Sequence, residues 1–224
     1  MDHLPINLFI RGHAVVIVGG GSVAARKCLP LLEGGARITV IAPDIDARLA
    51  ELRDTGRIAH LPRSYRRDDL AGAFLVLAAT DNRDVNRAVA MEALSRSILV
   101  EVADAPEEGN VTSPAMHRQG ALTIAVSTAG RSPALARTIR DELAERYGPE
   151  YATALAILGT VREKLLTVRA NRTYNKKVLN ALACADLPGL IRRGDYPEID
   201  RLLTNQLGPG CTLAELGMRP EDPP

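Results

Sequence analysis

Residues 14–44 read AVVIVGGGSVAARKCLPLLEGGARITVIAPD. Ala14–Val18 is a continuous apolar run rich in β-branched residues, which suits a strand buried on both faces of a parallel sheet. The run meets three glycines. From Ser22 to Leu32 apolar residues recur at helical spacing, and Gly34 and Gly35 supply the stop. Arg37–Ala42 is the next strand. At the junction, Gly19, Gly21 and Ala24 satisfy G-x-G-x-x-A. Gly19 permits the tight turn, Gly21 lets the backbone approach a pyrophosphate, and Ala24 lets the helix pack close to the sheet. The N–H groups at the start of the helix then face the anion. In this strand–turn–helix setting a dinucleotide site is favoured over a plain tight turn.

The same rhythm continues outward from that stretch. Asp46–Asp54 has helical spacing with Gly56 as its stop, and Arg57–Pro62, Ala73–Thr80 and Ser97–Val102 read as strands. Asp81–Leu94 is a helix between the last two strands. Regular alternation of this kind predicts an α/β, Rossmann-like parallel sheet with helices on both faces. The rhythm then breaks. Ala103–Gly120 is rich in Pro, Gly, Asp and Asn and reads as a linker or ligand-facing loop with a short strand around Val111. Ala121–Thr128 is a strand. Ser132 is a good N-cap with Pro133 at the first helical position, and Leu135, Ile139 and Leu143 form an apolar stripe. From Glu150 onward the pattern is helical only. Tyr151, Leu155, Leu158, Val161 and Leu165 line one side of a long helix, and Asn175–Ala185 and Glu198–Leu207 suggest two more. The end of the chain, 216–224, reads as a frayed tail.

Bulk chemistry narrows the function classes. With 28 basic against 27 acidic residues the net charge is +1, so global charge argues neither for nucleic acid nor for a membrane surface. Cys28, Cys184 and Cys211 are sparse and lack metal-ligand spacing, as expected of a reduced intracellular chain. The start lacks a signal-peptide pattern, and no run reaches the roughly 18–20 apolar residues of a membrane helix, so a cytoplasmic protein is expected. Arg162, Lys164, Arg169, Arg172, Lys176 and Lys177 cluster with Tyr174 as their lone aromatic, and no nucleic-acid motif accompanies them. They read as a solvated face or a wall of a pocket for an acidic small molecule. H-E-x-x-H, C-x-x-C, carboxylate clusters and G-x-S-x-G are all missing, which gives no support to a prebuilt metal site or a hydrolase.

The candidate site residues lie where strands end. Asp44, beyond Pro43, either reaches a ribose hydroxyl or caps the next helix, and Arg48 nearby could tolerate a 2′-phosphate; NAD is favoured over NADP. Thr80, Asp81 and Asn82 either touch the cofactor or start a helix. Asp104 follows the last strand of the alternating region, as a proton acceptor or as a turn residue before Ala105-Pro106. His117 is a candidate to reach the same space or a packing residue. Ser127, Thr128, Arg131, Ser132 and Arg137 form a second anion candidate around a helix start, suited to a polycarboxylate; the alternative is an ordinary capped helix with solvated arginines.

MDHLPINLFIRGHAVVIVGGGSVAARK (1–27), ITVIAPD (38–44), LVLAATDNRDVN (75–86), VEVADAPEEGNVTSPA (100–115) and ALTIAVSTAGRSPALARTIRDEL (121–143) together resemble the siroheme synthase family, in its precorrin-2 dehydrogenase and sirohydrochlorin ferrochelatase part. The resemblance implies oxidation of precorrin-2 to sirohydrochlorin by NAD, followed by insertion of Fe2+ as a substrate to give siroheme. It also implies three parts: an NAD-binding domain (1–112), a small α+β dimerisation region (113–147) and an all-helical domain (148–215), in a homodimer. By the same resemblance Asp104 is the general base and a transient guide for the metal. Ser22, Val23, Pro43 and Asp44 contact NAD, and Thr128 stands where some members carry a phosphorylated serine. The fused synthases continue into a methyltransferase that makes precorrin-2 from uroporphyrinogen III. This chain ends at Pro224, so a separate methyltransferase is expected. Three rival readings stand beside this one: a dehydrogenase that leaves the metal to another enzyme, a non-enzymatic NAD-binding regulator, and a nucleic-acid module built on the basic helices.

Overall fold

The computed structural model describes residues 3–168 and 172–218, without the side chains of residues 168 and 172–174. Arg169 and the tail from residue 219 lie outside the described residues, as do the side chains of Arg172 and Tyr174. Two compact units divide the chain, Met1–Ser113 and Pro114–Pro224.

The first unit alternates strand and helix: β1 (Ala14–Val18), α1 (Ser22–Glu33), β2 (Arg37–Ile41), α2 (Ala47–Asp54), β3 (Ala59–Leu61), β4 (Leu75–Ala78), α3 (Arg83–Ser95) and β5 (Leu99–Val102). The strands are parallel in the order β3-β2-β1-β4-β5. β1 is central, with Val16 opposite Thr39 on one side and Val76 on the other. Its continuous apolar run has a direct cause. Val15 and Ile17 pack with Ala24, Cys28 and Leu49, whereas Val16 and Val18 pack with Val89, Ala90 and Ala93. Both faces of the strand are therefore core, so alternation with polar residues would cost about 1.5–3 kcal/mol for each large side chain lost.

Capping fixes where the helices begin. The Asp46 carboxylate accepts from the Arg48 amide at the start of α2. Asn82 Oδ1 accepts from the Asp84 and Val85 amides at the start of α3. β4 stops at Ala78, earlier than its sequence pattern suggested, which releases Ala79 and Thr80 to the crest of the sheet. The expected strand around Val111 does not form. After β5 the chain makes a short 3-10 turn, Pro106–Glu108, and returns along the outer edge of the sheet. There the Asn110 side chain joins in the pairing: Oδ1 accepts from the Val100 amide at 2.7 Å and Nδ2 donates to the Ile98 carbonyl at 3.2 Å. The side-chain amide thus supplements the backbone, whose Asn110 and Val111 amides both donate to the Val100 carbonyl, at 3.0 and 3.3 Å.

The second unit opens with an antiparallel hairpin, β6 (Ala115–Gln119) and β7 (Leu122–Val126), followed by α4 (Pro133–Arg146). Ala115–Gln119 falls within the Pro-, Gly-, Asp- and Asn-rich stretch expected as a linker or loop; pairing with β7 makes it a strand. Ser132 caps α4 by accepting from the Leu135 amide. The predicted stripe on α4 is not core within the chain: Leu135 is 52% exposed, and Ile139 and Leu143 are half-buried.

Then come α5 (Glu150–Val168), α6 (Arg172–Cys184), α7 (Leu187–Arg193) and α8 (Tyr196–Leu207). On α5 the positions packed in the helical core are Ala154, Ile157, Val161 and Leu165, whereas Tyr151, Leu155 and Leu158 are half-buried. The true stripe uses a small alanine, which lets neighbouring helices approach closely. α7 was not anticipated. Asp186 caps it, with its carboxylate accepting from the Gly189 amide, and Gly194 ends it in a left-handed conformation.

Candidate active site

In an open parallel sheet, ligands bind beyond the carboxyl ends of the strands, where the strand order reverses. Here that point lies between β1 and β4. The glycine turn follows β1, and each of its glycines answers a different constraint. Gly19 has φ +121°, and a Cβ there would lie 2.2 Å from the Ala79 carbonyl oxygen. At Gly20 a Cβ would lie 2.0 Å from the Asp44 carbonyl oxygen, because the chain after β2 folds onto the turn; the Asp46 amide donates to the Gly20 carbonyl at 2.7 Å. A Cβ on Gly21 would meet nothing within 4 Å. The first two glycines are thus required by the protein, and the third faces open space. Gly21 is also the N-cap of α1, where no side chain caps the helix and the first turn carries no acidic residue. Ser22 is exposed, Val23 half-buried and Ala24 fully buried against the sheet. Backbone amides at a helix start, beside an open glycine, suit a pyrophosphate. The residues present fit a dinucleotide.

At the tip of β2, Pro43 and Asp44 are exposed. The capping role weighed for Asp44 is filled by Asp46. Arg48 is engaged: Nε donates to Asp46 Oδ1 at 3.0 Å and Nη2 to Oδ2 at 3.2 Å. These hydrogen bonds hold the Asp46 carboxyl below its usual range. A guanidinium already paired with a carboxylate is a poor receptor for a 2′-phosphate.

The crest of β4 and β5 is joined by a buried amide. Asn86 is 0% exposed. Its Oδ1 accepts from the Thr80 amide at 3.1 Å and from the Thr80 hydroxyl at 2.7 Å. Its Nδ2 donates to the Thr80 carbonyl at 3.1 Å and to Asp104 Oδ1 at 2.9 Å. Asp104 itself is exposed, just beyond β5. Asn82 is a helix cap, as one of its two readings had it, and its backbone closes a small turn with the Thr80 hydroxyl. Asp81 is exposed. On the α1 face of β5, the buried Glu101 accepts from Lys27 Nζ at 2.8 Å and from the Ser113 amide and hydroxyl at 2.8 and 2.7 Å. This pins the loop that carries Asp104 at its far end.

In the second unit, the loop between β7 and α4 is a tight turn. Ala129 and Gly130 have positive φ, the Ser127 hydroxyl accepts from the Ala129 amide, and Thr128 Oγ1 accepts from the Ser132 amide at 3.1 Å. Arg131 is exposed, and so is Arg137, whose Nε donates to the Pro133 carbonyl at 3.3 Å. His117 uses Nε2 on the Tyr147 carbonyl at 2.7 Å, which ties the hairpin to the end of α4. Arg162, Lys176 and Lys177 are exposed, and Lys164 reaches the Gly210 carbonyl. Among the described residues no group of three or more His, Cys, Asp or Glu side chains could hold a metal ion.

Known proteins share this fold. A family model for NAD(P)-binding domains matches residues 6–115, and the model of the sirohaem biosynthesis protein central domain matches residues 119–146. Siroheme synthase 3 of Aeromonas hydrophila subsp. hydrophila is 34% identical over 228 residues, covering 100% of this chain and 49% of its own length. Over its full length the chain is similar to siroheme synthases. Another siroheme synthase, from Chromobacterium violaceum, is 40% identical over 184 residues, covering 80% of this chain and 39% of its own length. The chain therefore spans about half the length, or less, of these siroheme synthases. Among solved structures, SirC, a precorrin-2 dehydrogenase, superposes with a TM-score of 0.76 at 26% identity, covering 88% of this chain and 98% of that one.

Two residues of this candidate site lie outside the expectations from sequence. Gly20 lies inside the fingerprint but is not one of its defined positions. Asn86 had a legible signal: it shares a helical stripe with Val89, Ala90 and Ala93, and a polar side chain on an apolar stripe calls for a buried partner. No helix among the described residues is long and apolar enough to cross a membrane.

Proposed function

We propose that this protein oxidises precorrin-2 to sirohydrochlorin, with NAD+ taking the hydride and Asp104 taking the proton. The observation that carries the reading is the pairing, at one sheet crest, of an open glycine turn with an exposed carboxylate held by a buried amide. The likeness to SirC, named a precorrin-2 dehydrogenase, supports the same substrate. We assign the amides at Gly21, Ser22 and Val23 to the pyrophosphate, Pro43 and Asp44 to the adenosine end, and Thr80 to the rest of the dinucleotide. NAD+, when bound, supplies the two-electron oxidant. The protein's own part is to orient and to hold a proton. Asp104 Oδ1 is fixed by Asn86, and the exposed carboxylate can accept a proton lost from the macrocycle. The Arg48–Asp46 pair supports NAD over NADP.

For the polycarboxylate substrate we assign Thr128, Arg131, Arg137 and His117, with Arg131 and Arg137 supplying the charge. The three-part division at residues 112/113 and 147/148 stands as part of this proposal, with 113–147 as the dimerisation region of a homodimer. The apolar stripe of α4, with Leu135 exposed and Ile139 and Leu143 half-buried, supports it. A uroporphyrinogen III methyltransferase would supply precorrin-2.

Iron insertion is a second reading, favoured by the name siroheme synthase carried by the relatives. Here Fe2+ is a substrate whose ligands are the macrocycle nitrogens, and Asp104 would take protons from them.

The test is anaerobic: protein, precorrin-2 and NAD+ are mixed, NADH and sirohydrochlorin are followed spectrally, and Fe2+ is then added. We expect NADH from the parent, and a kcat at least ~10²-fold lower in Asp104→Asn, the low end of a general-base contribution. No NADH from the parent would refute the function, and a near-parent rate in Asp104→Asn would remove Asp104 from its role. Conversion to siroheme on adding Fe2+, faster than without protein, would support the second reading.

A further inference from the structure

We propose that Asn86 is the positioning residue of the reaction: a buried amide, locked by Thr80, whose remaining N–H fixes how the Asp104 carboxylate is presented. The inference rests on the reading of Asp104 as proton acceptor. It begins with an energetic oddity. Asn86 is fully buried on the inner stripe of α3, among Val89, Ala90 and Ala93. Burying an amide there is unfavourable unless its hydrogen-bonding groups are met. They are met in full: two acceptor bonds on Oδ1 and two donor bonds on Nδ2.

The orientation is not free. The Thr80 amide can only donate and the Thr80 carbonyl can only accept, so a flipped Asn86 would break both bonds. With Thr80 setting the amide, one Nδ2–H must point to Asp104. A purely structural asparagine would need only Thr80. The bond to Asp104 crosses 18 residues of sequence and joins the crest of β4 to the loop after β5. A neutral amide donor orients the carboxylate without setting a second charge beside it. The nearby cations are occupied: Arg83 and Arg87 of α3 both donate to Glu108 in the 3-10 turn. The other acids at the start of α3, Asp81 and Asp84, are exposed.

The diagnostic variant is Asn86→Asp. It is isosteric and keeps an acceptor for the Thr80 amide and hydroxyl, but sets an oxygen against Asp104 Oδ1 where the N–H now lies at 2.9 Å. Two carboxylates in such contact share a proton, and they titrate as a pair. The acidic limb of kcat/KM against pH should move up by at least about one pH unit, with the NAD dissociation constant within about threefold of the parent. In ligand-free protein labelled at carboxyl carbon, the Asp104 signal should titrate at higher pH in the variant. A folded variant that keeps the parent's limb and the parent's carboxyl titration would show that the side chain at position 86 does not contact the Asp104 carboxylate in solution, and that result overturns the proposal.

Should Asn86→Asp fail to fold, the parent still decides. Its Asn86 side-chain amide resonances should shift as Asp104 titrates and stop doing so in Asp104→Asn; resonances that ignore Asp104 overturn the proposal. A parent that makes no NADH from precorrin-2 sinks the function itself. An active parent with an unmoved limb in a folded variant sinks only the role of Asn86.

Discussion

Replacing Gly21 by alanine should separate cofactor binding from folding, and replacing Gly20 should do the reverse. At Gly21 φ is −80° and an added Cβ meets nothing within 4 Å, so the substitution costs under about 1 kcal/mol, within the range of N-cap changes. The melting temperature should fall by less than about 4 °C. The methyl would, however, stand between the first amides of α1 and the pyrophosphate. Hydrogen bonds to a charged group are worth about 1.5–3 kcal/mol each, so losing one raises the NAD dissociation constant at least ~10-fold. At Gly20 the added Cβ would lie 2.0 Å from the Asp44 carbonyl oxygen and 2.9 Å from Ala42 Cβ. Relief requires moving the connection between β2 and α2. Overpacking of this kind costs about 2–3 kcal/mol, or roughly 5–10 °C in melting temperature. The assay pairs thermal melts with calorimetric titration of NAD. A Gly21→Ala protein that binds NAD like the parent, or a Gly20→Ala protein that melts like the parent, would refute the division of labour within the turn.

Two further outcomes test the surrounding structure. Asp69 accepts two hydrogen bonds from Arg63 at 2.7 Å and one from the Arg66 amide at 2.7 Å, and the Arg63 hydrogen bond holds its carboxyl below the usual range. The folded-state value is lowered, so its stabilisation is complete above the unfolded carboxylate value of about 3.9 and is lost as pH falls through the folded value. Asp69→Asn should therefore cost about 1 kcal/mol in urea unfolding at neutral pH and nothing below that window; an equal cost at both ends would contradict it. Burial pushes the Cys28 thiol up to about 11, Cys211 is also buried, and Cys184 is exposed. A thiol reagent should label Cys184 alone in the native protein and all three after unfolding, so rapid native labelling of Cys28 would contradict the packing of α1.

The glycine turn, the parallel alternation and the family resemblance were legible because each is written in contiguous residues. Val15–Val18 must be apolar at every position when both faces are core, and the turn needs its glycines in order. The helix start marked by Ser132 was equally local, since a cap and the amides it serves lie within three residues, whereas α2 is capped by Asp46 and not by Asp44. Other features depended on contacts distant in sequence. AMHRQ becomes a strand because LTIAV pairs with it, and Asn110 replaces a strand around Val111 because β5 leaves an edge to satisfy. The stripe of α5 runs through Ala154 and Ile157 because several helices close on it, which one helix's periodicity does not reveal.

By itself, then, the sequence determined the class of fold and the glycine turn, and it offered Asp104 as a candidate acid, since local patterns and short spacings encode these. Only the tertiary structure decided how that acid is held. Thr80, Asn86 and Asp104 lie on three different segments, and hydrogen-bond geometry among them exists only once the sheet has brought the ends of β4 and β5 together. The same holds for Arg48, free in sequence and paired in space. A side chain's type is a local property, but whether it is satisfied depends on what the fold places within about 3 Å of it.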